Sequence, residues 1–177
     1  MKKVLVVRNR IPLEFFTVSG AGESNITIHA GSYDAAVKDA GIENHNLISY
    51  TSILPKEAKQ VQKEESYTFG SVAEAITAVS NSTTGRRATA GLIYGWVYHK
   101  KKKIGGLVAE YNEHGTEEVA KKTLRTSIDE MFFIRYGKNR DYQLCDVKIV
   151  MNSIVPKKKY GTAIAAIVFV SYLYPLR

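Results

Sequence analysis

The sequence has one cysteine, no long hydrophobic run and no pattern of metal-binding residues. Cys145 alone can form no internal disulfide, which fits a reducing compartment. The longest apolar run, Ala163 to Val170, is well short of the roughly 20 residues that a membrane-spanning helix needs. Metal-ligand spacing is absent from the four histidines, which are His29, His45, His99 and His114. We therefore expect no internal disulfide, no spanning helix and no metal site.

Two further patterns are missing. Arg8 and Arg10 interrupt the apolar start of the chain before it reaches signal-peptide length. The segment 20–22, Gly-Ala-Gly, lacks the third glycine of a dinucleotide fingerprint and the Lys-Ser/Thr of a phosphate loop.

With 177 residues, 45% of them hydrophobic, the chain is long enough for one domain with a proper core. We predict a single cytoplasmic domain, residues 1–177.

The net charge of +8 makes a basic nucleic-acid-binding module the alternative from outside the enzymes. The concentrated basic runs, 100–103 and 157–159, each lie between two apolar segments. That placement is typical of solvated loops between strands. Nucleic-acid binding favours basic residues interleaved with aromatics, and here Tyr98 and Tyr160 alone adjoin the runs. We predict that the protein binds no nucleic acid.

Strands and two helices are predicted along the chain. Ser32 as N-cap and Gly41 as terminator indicate a helix over 33–40. A second helix follows Thr116 and ends at Gly137, with an apolar stripe of Val119, Leu124, Ile128, Met131 and Phe132. Residues 20–23 are expected to form a loop. Strands are expected at 3–8, 13–19, 26–28, 88–98, 146–155 and 162–172.

The most specific pattern in the chain surrounds Thr51 and Ser52. It reads Asn-Leu-Ile at 46–48 and Ser-Ile-Leu-Pro at 52–55, with Gly41 and Asn44 just upstream. This stretch resembles the processing site of the pyruvoyl-dependent arginine decarboxylases. Segments 19–23 and 34–36 upstream and 106–111 downstream match the family in the right order, so the resemblance runs from about residue 16 to 172. It also favours a strand at 72–80, where helix propensity alone favours a helix.

The resemblance implies self-cleavage between Thr51 and Ser52, giving fragments 1–51 and 52–177. A serine hydroxyl can attack the preceding carbonyl to form an ester, whose elimination leaves dehydroalanine and then a pyruvoyl group. A pyruvoyl carbonyl can take an amine as a Schiff base and act as an electron sink for decarboxylation. Thr51 departs from the serine that many relatives have there, which should be tolerated because this residue contributes its carbonyl.

Glu110 is the second candidate catalytic residue. In the segment 106–111 alternate residues point to opposite faces, and both faces are otherwise apolar. Such a strand is typical of a buried position, where a glutamate is unusual without a partner or a task. Burial would raise its pKa, and a protonated carboxyl can deliver a proton to carbon. The alternative is an edge-strand residue with its carboxylate in water. The resemblance places the family's catalytic glutamate here.

Asp34 and Asn46 complete the candidate site. Asp34 would be favourable in the first turn of a helix whatever the function, because of the helix dipole. The resemblance instead implies that Asp34 binds the guanidinium of the substrate, which a carboxylate accepts in bidentate fashion. Asn46 offers an amide that can hydrogen-bond the attacked carbonyl, and the resemblance implies that it assists processing. Its alternative is an ordinary turn residue.

Taken together, the resemblance implies an α/β fold, a mixed sheet-and-helix sandwich similar to the pyruvoyl-dependent histidine and arginine decarboxylases. The implied activity converts L-arginine to agmatine and carbon dioxide, with Ser52 as the source of the pyruvoyl cofactor. A homotrimer or a dimer of trimers, with active sites between protomers, is expected. The enzymatic alternative is a self-processing amidohydrolase with an N-terminal serine nucleophile. A role in polyamine synthesis and one in acid resistance both stay open.

Overall fold

Two sheets and two helices make up the computed structural model, which describes residues 9–26, 28–64 and 67–175. The strands are β1 (Ile11–Ser24), β2 (Asn46–Ser49), β3 (Ile53–Pro55), β4 (Lys59–Gln60), β5 (Val72–Thr83), β6 (Ala88–His99), β7 (Lys102–Glu113), β8 (Tyr142–Ile154) and β9 (Tyr160–Leu173). The helices are α1 (Ala30–Asp39) and α2 (Glu117–Tyr136). The first sheet has the order β2-β5-β9-β1-β4 and the second β3-β7-β6-β8. The α/β class is confirmed.

Alternation along the strands builds a sandwich of four layers. Phe15 and Phe16 are adjacent in β1 and therefore point to opposite faces of the first sheet. Phe15 is fully buried with Leu92 in the core between the two sheets. Phe16 packs with Val37 in a second core between the first sheet and α1. A third core, which includes Leu124, lies between the second sheet and α2.

The expected loop at 20–23 is wrong, because β1 runs unbroken to Ser24 against β9. Glycine serves packing here instead of a turn. A Cβ atom on Gly20 would lie 2.3 Å from the Ala36 carbonyl oxygen, and one on Gly22 would lie 2.4 Å from the Ala36 nitrogen. The two glycines let α1 lie directly on the strand.

The first helix begins earlier than predicted. Its N-cap is His29, so α1 starts at Ala30 and Ser32 lies within the first turn. The Ser32 hydroxyl is buried and hydrogen-bonds the Thr162 hydroxyl at 2.8 Å, which ties α1 to β9. Termination at Gly41 is confirmed, since this residue has a φ of 66° that favours glycine. A consequence is that Asp34 falls in the second turn, away from the helix start.

The remaining elements largely follow the sequence. The strand at 72–80 is confirmed as β5, and the second helix is confirmed with Thr116 as N-cap and Gly137 as C-cap. Within its predicted apolar stripe, Leu124 and Ile128 are buried, whereas Val119 is 50% exposed. The helix buries Ala120 in its place.

Several shorter segments complete the comparison. No strand forms at 26–28, where the described residues lie in bends and turns. The predicted strand at 3–8 lies outside the described residues. Residues 157–159 form an exposed connection between β8 and β9, as expected, whereas the run 100–103 is a turn that continues into β7. Within the described ranges, neither helix is long and apolar enough to cross a membrane.

Candidate active site

The chain crosses from one sheet to the other at Thr51 and Ser52. The Tyr50 amide donates to the Ala75 carbonyl of β5 at 2.7 Å, which fixes the chain to the first sheet. The Ser52 carbonyl accepts from the Val108 amide of β7 at 2.9 Å, which fixes it to the second. Since β2 and β3 are edge strands of different sheets, the bond between Thr51 and Ser52 spans the two edges. We call residues 50–52 the bridge.

Glu110 lies close to Ser52 within the same protomer. Ser52 lies opposite Val108, and Glu110 is two residues further along β7 on the same face. The Cα atoms of Val108 and Glu110, two residues apart in the strand, are therefore about 7 Å apart. Glu110 also pairs across β6 with Leu92, whose side chain belongs to the core between the sheets. The carboxyl group therefore lies on the bridge side of the second sheet.

The burial expected for Glu110 is wrong in extent, but the direction of its pKa is confirmed. Val108 and Ala109 are buried, whereas Glu110 is solvent-accessible beyond the reach of the short β3. Partial removal of water by the surrounding protein still raises the pKa of the Glu110 carboxyl. A side-chain hydrogen bond with Asn112 opposes this shift. Glu110 is thus an accessible carboxyl biased toward its neutral form.

A second glutamate approaches the bridge from the first sheet. Glu74 of β5 is only 3% exposed, and its two carboxylate oxygens have different partners. Arg10 forms an ion pair with Oε1. The Tyr50 hydroxyl donates to Oε2 at 2.5 Å. A buried carboxylate is therefore bound to the residue that begins the bridge.

Aromatic rings surround this carboxylate. The Tyr50 ring packs against Phe169 with centroids 5.5 Å apart, and the Arg10 guanidinium lies 5.4 Å from the Tyr172 ring centroid. Burial, and secondarily the nearby Tyr50, raises the pKa of Tyr172 to about 12, with Arg10 opposing the shift. Tyr172 is accordingly neutral at physiological pH, and the charges here are those of Arg10 and Glu74.

Asn46 and Asp34 do not meet Ser52 in one protomer. Asn46 begins β2, about 10 Å along the strand from Ser49, and its side-chain amide donates to the Gly70 carbonyl at 2.9 Å. Asp34 is exposed on α1 and precedes Ala35, which packs against Gly22. The sheet register places the bridge level with Phe16, about 20 Å along the strands from Gly22. The roles of Asp34 and Asn46 stay predictions.

Two cavities share His45, the residue before β2, in their walls, and neither is lined by Ser52 or Glu110. One cavity, of about 180 Å³, lies at the C-terminal end of α1 and is lined by residues that include Asn44, His45 and Tyr67. The other, of about 210 Å³, includes His45 and Tyr172 in its wall. Among the described residues no cluster of acidic, histidine and cysteine side chains could hold a metal ion. Ser52 and Glu110 thus lie outside both of these cavities.

Comparison with known proteins decides the family. The model of the pyruvoyl-dependent arginine decarboxylase family matches residues 14–173. The chain belongs to this family. The pyruvoyl-dependent arginine decarboxylase of Methanopyrus kandleri is 30% identical over 161 residues, covering 90% of this chain and 97% of that protein. The pyruvoyl-dependent arginine decarboxylase AaxB of Chlamydia abortus is 32% identical over 186 residues, with coverage of 92% and 93%. That of Thermococcus kodakarensis is 26% identical over 162 residues, with coverage of 91% and 97%.

A pyruvoyl-dependent decarboxylase carries a covalently bound pyruvoyl group, and the residues of this chain fit one. The group requires a serine preceded by a carbonyl that its hydroxyl can attack. Ser52 satisfies this requirement at a partly buried position on the edge of the sandwich, after the exposed Thr51. Glu110, with its raised pKa, supplies an acidic group nearby.

Sequence reasoning missed Glu74, Tyr50 and Arg10. A signal for Glu74 was available, because it is the only charged residue in the otherwise small and apolar segment 72–79. The same consideration singled out Glu110 in its strand. Nothing in the sequence pairs Arg10 with Glu74, because they meet only when β9 lies between β1 and β5.

Proposed function

We propose that this decarboxylase removes the α-carboxylate of L-arginine, giving agmatine and carbon dioxide, after self-cleavage between Thr51 and Ser52. The observation that carries the proposal is the position of Ser52. Ser52 lies on the bridge between the two sheet edges. Glu110, whose carboxyl has a raised pKa, is two residues along β7 from Val108, which lies opposite Ser52. The small fragment is 1–51 and the large one 52–177.

The bonds that form and break in the first steps of self-cleavage belong to the bridge. The Ser52 hydroxyl attacks the Thr51 carbonyl carbon, an ester bond forms, and the peptide C–N bond breaks with the proton passing to the released amine. In the elimination the Cα proton of Ser52 passes to water as its Cβ–O bond breaks, which leaves the Thr51 carboxylate at the end of fragment 1–51 and turns Ser52 into dehydroalanine. Tautomerisation and addition of water release ammonia. Asn46 is proposed to assist this processing through its amide, which a neighbouring protomer would supply, since Asn46 lies about 10 Å along β2 from Ser49 within one protomer.

The pyruvoyl group supplies an electrophilic carbonyl that binds the substrate amine and withdraws electrons as carbon dioxide leaves. Glu110 is proposed to hold the proton that the α-carbon of the substrate then receives. Its raised pKa supports this role, because a general acid must still carry its proton at the working pH.

Asp34 is proposed to bind the guanidinium of arginine in an active site shared between protomers of a trimer or a dimer of trimers. A separation of about 20 Å from the bridge within one protomer supports a shared site, since a carboxylate that binds the same arginine must then come from a neighbour. Exposed apolar side chains also support an interface on this edge of the molecule: Ile48 and Ile53 flank the bridge, and Phe69 and Val72 lie near Asn46 at the start of β2. The cytoplasmic location stays a prediction, and polyamine synthesis and acid resistance both stay open.

Ser52→Ala tests the proposed chemistry. We expect the purified parent to run as two fragments, with fragment 52–177 blocked to N-terminal sequencing. The Ser52→Ala chain should remain whole and release no carbon dioxide from arginine, because it has no hydroxyl to attack the Thr51 carbonyl. Ser49→Ala, a matched change at the end of β2, should cleave like the parent. Intact mass and trapping of the new carbonyl by a hydrazine are the measurements.

Two results would contradict the proposal. An uncut parent that still decarboxylates arginine would exclude the pyruvoyl mechanism. A cut parent whose fragment 52–177 begins with a free serine and does not react with hydrazine would favour the amidohydrolase alternative.

A further inference from the structure

Glu74 is a buried charged residue to which the proposed reaction gives no task. It lies in β5 between Ala73 and Ala75, which pack beneath α1, so its own side chain points into the space between the two sheets. Ile76, on the same face, belongs to the core between the sheets. A carboxylate in such a position is costly unless its oxygens are engaged.

Both partners of Glu74 come from the chain that precedes Ser52. Arg10 pairs with one oxygen, and the Tyr50 hydroxyl donates to the other at 2.5 Å. Arg10 and Tyr50 belong to residues 1–51, whereas Glu74 belongs to residues 52–177. The contact therefore joins the two fragments, and it does so one residue before the bond that breaks.

We propose that Glu74 is a positioning residue for self-cleavage: by holding Tyr50 it orients the Thr51 carbonyl toward the Ser52 hydroxyl, and afterwards it retains the new C-terminal end of fragment 1–51. The inference rests on the proposed cleavage between Thr51 and Ser52.

The anchors of the bridge explain why Tyr50 matters. The backbone of the bridge is fixed at the Tyr50 amide and at the Ser52 carbonyl, one on each sheet, and the Thr51 carbonyl lies between these two points. Intramolecular attack is fast only when the reacting atoms are held about 3–3.5 Å apart in the right orientation. A third anchor, at the Tyr50 hydroxyl, restricts how the bridge can rotate about the other two.

The same bond acquires a second role once the chain is cut. Cleavage removes the covalent restraint on Thr51, so the end of fragment 1–51 depends on noncovalent contacts alone. Hydrogen bonds to an ionised carboxylate are stronger than neutral ones, and the low exposure of Glu74 protects this one from competing water. We expect Tyr50 and Thr51 to stay in place after cleavage for this reason.

Tyr50→Phe is the cleanest test, because it deletes the hydroxyl and keeps the ring that packs on Phe169. Self-cleavage of the newly purified chain should slow about tenfold, the effect of losing one charge-assisted hydrogen bond from the reactive geometry. Tyr136→Phe, in the aromatic stack of α2 on the outer face of the second sheet, should cleave at the parent rate. Fragment yield against time, measured by intact mass, gives the rates.

The cut enzyme gives a second readout, which does not depend on the cleavage rate. Carboxypeptidase should release the last two residues of fragment 1–51 about tenfold faster from cut Tyr50→Phe than from the cut parent. Glu74→Gln should change both readouts in the same direction. The thermal midpoint of each variant in the uncut Ser52→Ala background identifies any variant that simply fails to fold.

The possible failures are distinguishable. A parent chain that never cleaves would overturn both the proposed processing and the role of Glu74. A parent that cleaves, with Tyr50→Phe matching Tyr136→Phe in cleavage rate and in resistance to carboxypeptidase, would overturn the role of Glu74 and leave the proposed function standing.

Discussion

Glu74 and Glu110 flank the same bridge, one from each sheet, in opposite surroundings. Glu74 is 3% exposed, with one oxygen paired to Arg10 and the other to Tyr50. Glu110 is solvent-accessible, and the surrounding protein raises its pKa. A carboxylate whose oxygens are both engaged can hold a segment in place but has no free position for a substrate. An accessible carboxyl that retains its proton can give that proton away.

The difference arises from strand position. Glu74 lies where β5 is covered by β2 on one side and β9 on the other, so its side chain is enclosed. Glu110 lies on β7 beyond the three residues of β3, where the edge of the second sheet is open. Residue type alone therefore does not assign a role to a glutamate in a strand. Here the enclosed carboxyl lies in a strand paired on both sides, and the accessible one lies past the end of its edge-strand neighbour.

Glu110→Gln should have the largest effect of these substitutions, and it tests directly whether Glu110 acts as the proton donor. The amide keeps the volume but has no proton to transfer, so turnover of arginine by the cut fraction should fall by roughly 10²–10⁴. Glu113→Gln, an exposed change on the same strand, should turn over at the parent rate. Carbon dioxide release per cut chain is the measurement.

The pH profile supplies the control for this prediction. A raised pKa means that the protonated, active form of Glu110 persists to higher pH than in an ordinary glutamate, and that activity declines as pH rises through the raised pKa. Residual activity of Glu110→Gln should lack this decline. Parent-like turnover in the cut Glu110→Gln enzyme would show that another acid donates the proton.

Stability should rank the two glutamates in the opposite order. In the uncut Ser52→Ala background, Glu74→Gln should lower the free energy of unfolding by about 2–3 kcal/mol, because a buried hydrogen bond to a charged group is lost. Glu110→Gln should change it by less than about 0.5 kcal/mol, as is usual for an accessible side chain. Urea denaturation of both variants measures the difference. Equal losses would mean that their enclosure does not distinguish these residues energetically.

Asp34→Asn extends the comparison to a carboxylate outside the bridge and should have the smallest effect. The KM for arginine should rise roughly tenfold, because the amide cannot form the charge-assisted pair with guanidinium. Cleavage between Thr51 and Ser52 should proceed at the parent rate. Asp129→Asn, an exposed carboxylate on α2, serves as the matched control. An unchanged KM would return Asp34 to the role of an ordinary helix residue.

Most of the fold could be predicted from local patterns, and the errors have tertiary causes. The cap at Thr116 and the stop at Gly137 fixed α2 because both signals act within one turn of the helix. Gly20 and Gly22 misled because glycine signals both turns and close packing, and only the position of α1 distinguishes them. The early start of α1 at Ala30 has no cap signal, since the His29 side chain makes no capping hydrogen bond.

The candidate site, like the fold, could be predicted only in part from local sequence patterns. Ser52 was singled out by the resemblance of its segment to a processing site, and Glu110 by its place in an otherwise apolar strand. The fold places the bridge beside β7, and the catalytic roles of both residues stay predictions. The roles of Asp34 and Asn46 came from the family resemblance, and one protomer does not bring them to Ser52. The contact of Arg10 with Glu74 depends on residues 64 positions apart meeting across β9, which no local pattern indicates.

The strand order of the first sheet has a consequence for the lifetime of the enzyme. Cleavage at the proposed site would assign β1 and β2 to fragment 1–51, while β4, β5 and β9, to which they are hydrogen-bonded, would belong to fragment 52–177. The fragments would then be interleaved, and neither could leave without opening the sheet. If the cut chain unfolds, its halves must find each other by diffusion, and the broken peptide bond is not remade. We therefore expect the lifetime of the cut enzyme to be set by its rate of unfolding and not by an equilibrium between folded and unfolded states.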